Sequence, residues 1–407
     1  MCIRDSRKAA RAIAGCCLGV FWFGAVAFGY PGVMSTYWQE RFSVGAGETG
    51  AVVTFMLLGL AVCMFFSGRI HMRIGMRGCA ALGIGMAVVA MTVLIQARSM
   101  AGVYLWAFLM NAGGSFLYGP GLTTAQQWLP HRRGLASGLL NLVFGLSAAI
   151  MSPVWNRMLD AVGYEMVNYI LVACILVSNT IALFLTEGPD RTALTEEERM
   201  AQQTLMEGMA RKDGGLTPRQ ALGTRTFWLI WFLWVFMGAA GVSMISLSKS
   251  YALSLGLSGV VILTAFNITN GVGRLIAGML CDRIGGEWTG ISAFLLAAVG
   301  YLLLPHVRSV AVLAILAACV GYGFGTLFTV TGPITTERFG MKYFGAIFGA
   351  VFTAYGFVGG ILGPALSGLV LDLTGGNYRI VFSYLALFAL VGAGLMALLK
   401  RERAENS

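Results

Sequence analysis

The chain has 407 residues, of which 57% are hydrophobic and only 11% charged, with a mean hydropathy of +0.76. A soluble domain carries about 25% charged residues, so this composition excludes a water-soluble enzyme or binding module and describes a chain that lives in lipid. The net charge of +10 would suit a nucleic-acid partner, but the basic residues are dispersed over the connections between apolar runs, which argues against one.

A transmembrane helix needs roughly 20 predominantly apolar residues, and twelve such stretches follow one another. The first six run near 13–38, 51–66, 79–96, 103–124, 135–154 and 167–185. In the first, Tyr30 and Tyr37 are seven residues apart and share one helix face; the fourth carries Tyr118, and Arg132 and Arg133 precede the fifth. Residues 186–226 are too polar to cross and include Glu196, Glu197 and Glu198. Within them 195–211 reads as a short amphipathic helix, part of a tether between half-bundles. The second six run near 227–247, 260–280, 290–304, 309–331, 343–371 and 380–399. The eighth holds Asn270 and Arg274, the tenth Phe324 and Phe328, and the eleventh Phe352 and Tyr355 followed by Gly356, Gly363 and Pro364. Alternating β-barrel patterning is absent, so an all-α membrane fold of twelve helices is expected.

Charge sets the expected topology. Twenty-one of the 28 basic residues lie at the two chain ends and on alternate connections, against six on the others. By the positive-inside rule both termini are expected in the cytoplasm and the bundle in the plasma (bacterial inner) membrane. The first apolar span is long and lacks a small-residue cleavage site, so no cleavable signal peptide is expected. The eight cysteines form no C-x-x-C pair and mostly sit in or beside spans, where a free thiol behaves as a small apolar group.

The chain also repeats itself. Gly134, Gly138, Gly145 and Pro153 correspond to Gly345, Gly349, Gly356 and Pro364, each pair 211 residues apart, and Gly68, Arg73 and Gly75 correspond to Gly278, Arg283 and Gly285 at an offset of 210. The expected domains are therefore a six-helix bundle over 1–185, a cytoplasmic linker over 186–226 and a second six-helix bundle over 227–407. Two such halves around a central cavity is the architecture of alternating access. The glycines of the fifth and eleventh spans read as hinges or as close-packing surfaces.

Arg274 is the most informative residue. It cannot shed its charge, holding it at membrane depth costs several kcal/mol, and no Asp or Glu lies in the preceding turns of its span. It precedes Asp282 by eight residues, hence roughly 12 Å along the helix axis, which puts it towards mid-membrane. Either it snorkels or bonds backbone carbonyls, or it forks a carboxylate brought by the substrate. Asn270 lies one turn away on the same face, placed to orient the guanidinium. Tyr30, Tyr37, Tyr118, Phe324, Phe328, Phe352 and Tyr355 are candidate cavity walls. No Gly-x-x-x-x-Gly-Lys run occurs, His71, His131 and His306 all fall in connections, and no carboxylate sits in a membrane core. No metal, cofactor or catalytic triad is therefore expected.

Over essentially its full length the sequence resembles the major facilitator superfamily. Gly278, Asp282, Arg283 and Gly285 look like that family's loop motif; the first-half copy, Gly68-Arg69-Ile70-His71-Met72-Arg73-Ile74-Gly75, has Met72 where the family usually has Asp. Narrower features are similar to the branch of monocarboxylate transporters and oxalate/formate antiporters. These are Trp128-Leu129-Pro130-His131-Arg132-Arg133-Gly134-Leu135-Ala136-Ser137-Gly138, the Phe28–Met34 region, and Arg274 in its Gly273-Arg274-x-x-x-Gly278 setting. The resemblance implies an eighth-helix substrate arginine and an aromatic cage. Two departures bear on the cargo. Proton-coupled monocarboxylate carriers have an Asp where Asn270 stands, and oxalate/formate antiporters have an eleventh-helix Lys, which Phe352-Thr353-Ala354-Tyr355-Gly356 lacks. The expectation is a secondary transporter, not an enzyme, that acts as a monomer in the lipid bilayer and moves a small organic anion, a monocarboxylate first. Export of amphiphilic drugs by the same fold, and a receptor without transport, are the competing readings.

Overall fold

The computed structural model describes residues 3–186, 215–257 and 260–405, and within them the chain is helical with no strand. Helix α1 (Ile3–Phe28) stops at Gly29, and α2 (Tyr30–Phe42) resumes with Pro31 in its first turn, where a missing N–H leaves nothing unbonded. The first expected span is thus two helices in succession. Next come α3 (Ala46–Ile95), α4 (Met100–Trp128) and α5 (Arg133–Leu185), then the short α6 (Pro218–Leu222). The second half comprises α7 (Arg225–Ser254), α8 (Val260–Ile284), α9 (Gly286–Leu303), α10 (Val310–Phe339), α11 (Phe344–Thr353), a π-helical turn at Ala354–Gly359, α12 (Gly360–Leu373) and α13 (Tyr378–Glu405).

Ten of these stretches are long and apolar enough to cross a membrane, yet the crossings number twelve. Straight helices of 50 and 53 residues, the lengths of α3 and α5, would reach roughly 75–80 Å, far beyond an apolar core of about 30 Å. Each is divided by one glycine in the left-handed region, Gly75 (φ 69°) in α3 and Gly163 (φ 76°) in α5, a conformation glycine takes at no steric cost. The second half uses the same device: Gly285 (φ 88°), the repeat mate of Gly75, opens α9, and Gly375 (φ 62°) separates α12 from α13. Large apolar side chains such as Phe184 and Leu373 stay exposed on the outside of the bundle, where lipid covers them.

Of the polar segment, 187–214 lies outside the described residues, including the 195–211 stretch. Past it, Thr217 caps α6 by accepting from Gln220 N, and Thr224 caps α7 by accepting from Phe227 N, so the seventh helix begins at Arg225.

The first half packs α3 on α4 and α1 on α5; the second packs α8 on α10, and α9 on α10 and α13. The halves meet along two seams, α5 against α8 and α3 against α11. Both seams are made by the repeated glycines. A Cβ on Gly278 would strike the Gly134 carbonyl and the reverse, while their repeat mates Gly68 and Gly345 meet backbone to backbone in the same way. Gly138 abuts the Arg274 carbonyl, and its mate Gly349 abuts that of Met64. The sequence repeat is therefore a spatial one, with Met64 standing in the first half where Arg274 stands in the second. These contacts close the arginine-rich end of the bundle.

Candidate functional site

Arg274 sits on the α5–α8 seam, 0% exposed, and does not snorkel. Its Nε donates to the Asn270 carbonyl (3.1 Å) and to Asn270 Oδ1 (3.4 Å), Nη2 to Asn270 Oδ1 (3.2 Å), and Nη1 to the Asn141 carbonyl across the seam (3.2 Å). Cζ lies 4.4 Å from the centre of the Phe328 ring. Every one of these partners is neutral, and among the described residues no carboxylate pairs with Arg274. The fork is partly hydrogen-bonded while its charge is left uncompensated.

Glycines make the slot in which it lies. A Cβ on Gly145 would come 3.1 Å from Arg274 Cζ, so here the fifth-span glycine clears space for the guanidinium. On α10, a Cβ on Gly325 would come 3.2 Å from Arg274 Cγ and 2.5 Å from the Asn270 carbonyl. Gly325→Ala is accordingly expected to push α8 away from α10, costing about 1–3 kcal/mol by overpacking and displacing the oxygen that holds Nε. A lowered thermal midpoint together with weakened ligand stabilisation would show it.

Aromatic rings close around the fork. Phe328 is 5.5 Å from Tyr355 and 6.1 Å from Phe352, Phe352 is 6.1 Å from Tyr118, and Phe324 stands one ring further out, 5.2 Å from Phe328. The phenols of Tyr118 and Tyr355 are the electrostatic neighbours of the guanidinium. Tyr118 donates to Asn141 Oδ1 (2.7 Å), and Asn141 Nδ2 donates to the carbonyls of Ser137 (2.8 Å) and, on the other half, Phe328 (3.2 Å). Asn141 thus ties phenol, guanidinium and both halves together. Tyr355 lies in the π-helical turn, an irregularity frequent at functional sites.

Two groups belong here that spacing did not single out. Asn141 is a neutral amide inside an apolar span. Trp234 on α7 packs its ring edge-to-face or tilted 4.8 Å from Phe328, 4.7 Å from Phe352 and 5.6 Å from Tyr355, with its buried Nε1–H unpartnered. The structure does not bring Tyr30 and Tyr37 to Arg274. The break at Gly29 turns Tyr30 into a cluster with Trp38, Trp106 and Trp155, where its hydroxyl meets Asn168, while Tyr37 stacks on Tyr164 and accepts from Arg41. Their shared face serves the first half's own packing. Among the described residues no group of three or more His, Cys, Asp or Glu side chains gathers as metal ligands would.

Twelve helices in two like halves around one buried cation is a transporter's plan, and the sequence profile of the Major Facilitator Superfamily matches residues 16–266 and 250–407. The chain belongs to this superfamily. It is an integral membrane transporter and not an enzyme. The oxalate:formate antiporter of Oxalobacter formigenes is 26% identical over 296 residues, 70% of this chain and 68% of that one. Monocarboxylate transporter 13 of Rattus norvegicus is 24% identical over 399 residues, 93% of this chain and 87% of that one. In fold the chain resembles the proton:xylose symporter XylE bound to 6-bromo-6-deoxy-D-glucose, with a TM-score of 0.77 over 96% of each chain at 14% identity.

The major facilitator loop motifs sit where the halves touch. Asp282 accepts from the backbone amides of Gly134 and Leu135, both at 2.8 Å. A carboxylate of the second half thereby caps the N-terminus of α5 in the first, where two unpaired amides and the helix dipole favour negative charge. Arg132 is the residue before α5 and Arg133 its first, with Arg133 Nε buried and unpartnered. Arg283 ends α8 exposed. Arg73 lines a cavity beside the other seam. Gly356 packs on Ala61 and Gly363 on the Ala239 carbonyl, which makes close packing the visible role of both, and Pro364 lies inside α12 just past the π turn. Thr336 Oγ1 donates to Gln126 Oε1 (2.8 Å), a further bond between halves.

Proposed function

We propose that this major facilitator carries a small organic anion, a monocarboxylate first, by alternating access, with Arg274 binding the carboxylate. The uncompensated charge of the buried Arg274 carries the reading. A guanidinium shut from water among neutral acceptors gains more from a carboxylate than any of those acceptors supplies, because a bidentate ionic pair is both shorter and stronger. The carbonyl of Asn141 and the amide of Asn270 hold the fork when no anion is there, and an arriving carboxylate would take the N–H groups turned towards the rings. Phe324, Phe328, Phe352, Tyr118 and Tyr355 would exclude water around it. One cation suits one carboxylate, and the relatives bear the names of carboxylate carriers, an oxalate:formate antiporter and a monocarboxylate transporter. With Asn270 in place of an acid, a proton would travel on the substrate, or exchange and membrane potential would supply the drive.

By the distribution of Lys and Arg, the closed arginine-rich end faces the cytoplasm, both termini lie there, and residues 1–185 and 227–407 rock about the linker 186–226 as one monomeric carrier in the plasma (bacterial inner) membrane. A panel of formate, lactate, pyruvate, oxalate and longer carboxylates tests the cargo by thermal stabilisation of purified protein and by uptake into proteoliposomes. Stabilisation by cationic amphiphiles and by none of the carboxylates would overturn the assignment.

Trp234 offers a separable check. Its indole N–H is buried without a partner, which costs about 1–3 kcal/mol, and it adjoins the rings around the fork. Trp234→Phe keeps a ring and removes that orphan donor, so the protein is expected to become slightly more stable while carboxylate affinity falls about fivefold, the worth of one hydrogen bond of ~1 kcal/mol. Unfolding curves and substrate titration read the two effects apart.

A further inference from the structure

Two adjoining cavities open at the arginine-rich end. The larger, about 380 Å³, lies between Arg69, Met72 and Arg73 of α3, Pro218 and Arg219 of α6, and Tyr343 before α11. The smaller, about 250 Å³, shares Arg69 and Arg73 and continues over Phe66 and Ile70. Arg69 and Arg73 stand one turn apart on one helix face, where like charges repel, and Arg219 brings a third cation from the linker helix α6. No carboxylate among the described residues pairs with any of the three, and Arg69 has only the Phe65 ring, 5.1 Å away. Three unpaired guanidiniums around one cavity favour an anion between them, and the fork geometry of Arg suits a phosphate.

The second cavity says which kind of anion. A small soluble phosphate would make no use of Phe66 and Ile70. Phe66 is 47% exposed and Met72 50%, so charge at this end gives way within a turn or two to an apolar outer face. That is the order of groups in a lipid. We propose that the paired cavities hold an anionic phospholipid, its phosphodiester among Arg69, Arg73 and Arg219 and an acyl chain along Phe66 and Ile70. The site spans both halves, since Arg69 and Arg73 belong to α3 whereas Tyr343 precedes α11 of the second half, with Arg219 on the linker helix α6 beside them. A bound lipid therefore favours the state closed at this end and is released as that end opens.

The full chain, purified in detergent, is titrated with dioleoylphosphatidylglycerol, dioleoylphosphatidylcholine and chain-free glycerophosphoglycerol, with lipid retention read by native mass spectrometry and stability by thermal unfolding. Phosphatidylglycerol is expected to be retained and to raise the midpoint by several degrees, and the other two are not. Arg69→Gln/Arg73→Gln/Arg219→Gln is expected to weaken retention at least tenfold, whereas Arg98→Gln, outside both cavities, leaves it intact. Should the triple variant fail to fold, Arg219→Gln alone, on an exposed short helix, carries the same expectation at about threefold. Wild-type retention by the arginine variants overturns the proposal, as does equal stabilisation by glycerophosphoglycerol, which would mark a site for free phosphate esters.

Discussion

Arg274→Gln is expected to lower saturable carboxylate uptake into proteoliposomes at least about 100-fold at subsaturating substrate, in a protein that still folds. The size follows from the bond removed: a desolvated bidentate guanidinium–carboxylate pair is worth roughly 3 kcal/mol or more, and each 1.4 kcal/mol is tenfold. Folding survives for the opposite reason. In the closed state the guanidinium is fully buried against Asn270, Asn141 and Phe328 with no counter-charge, so burial penalises the folded protein. Glutamine removes that penalty and keeps an amide N–H for one of the two carbonyls, and the thermal midpoint should hold or rise. Arg274→Lys retains the charge without the fork and is expected to fall between. Undiminished uptake by a folded Gln variant would remove Arg274 from the mechanism, and with it the reason to expect an anion.

The scaffold was legible because lipid leaves the backbone few choices: apolar runs of the right length must be helices, and repeated glycines must be where helices touch. Gly134 meets Gly278, and their repeat mates Gly345 and Gly68 meet in turn, contacts that only the structure shows. Arg274 stood out because a buried charge in an apolar span is costly, and of the readings open to it the structure shows bonds to backbone carbonyls and no snorkelling. Spacing could not say which way each aromatic faces once helices rotate and break. Tyr30 and Tyr37 share a face by number, yet Gly29 ends α1 and sends both to the first half's own core. Asn141 left no signal, since a lone amide in a span is ordinary helix-packing material. Trp234 is one of nine tryptophans, and only its place in three dimensions, an unpartnered N–H beside Phe328, Phe352 and Tyr355, sets it apart. The π turn at Ala354–Gly359 has no sequence mark beyond the glycines that permit it.

Asp282→Ala is expected to shift the carrier towards the state open at its arginine-rich end by roughly 1.5 kcal/mol, about tenfold in the equilibrium. The carboxylate accepts from two amides at the start of α5, both at 2.8 Å, and it joins the two halves, so its loss weakens only the closed arrangement. Cys281, buried at the same contact with its Cβ 3.0 Å from where a Cβ on Gly134 would be, is the reporter: with the other seven cysteines replaced, its maleimide labelling should accelerate about tenfold in the alanine variant. The first half lacks this device, because Met72 occupies the repeat position of Asp282. Gly68 nonetheless brings α3 against the N-terminus of α11 at Gly345 and Ala346, so Met72→Asp would set a carboxylate beside a second pair of helix-initial amides. That variant should label more slowly at Cys281 and transport more slowly as well, since a carrier latched at both seams must break two caps in each cycle. Labelling unchanged in both variants would show that glycine packing alone holds this end shut.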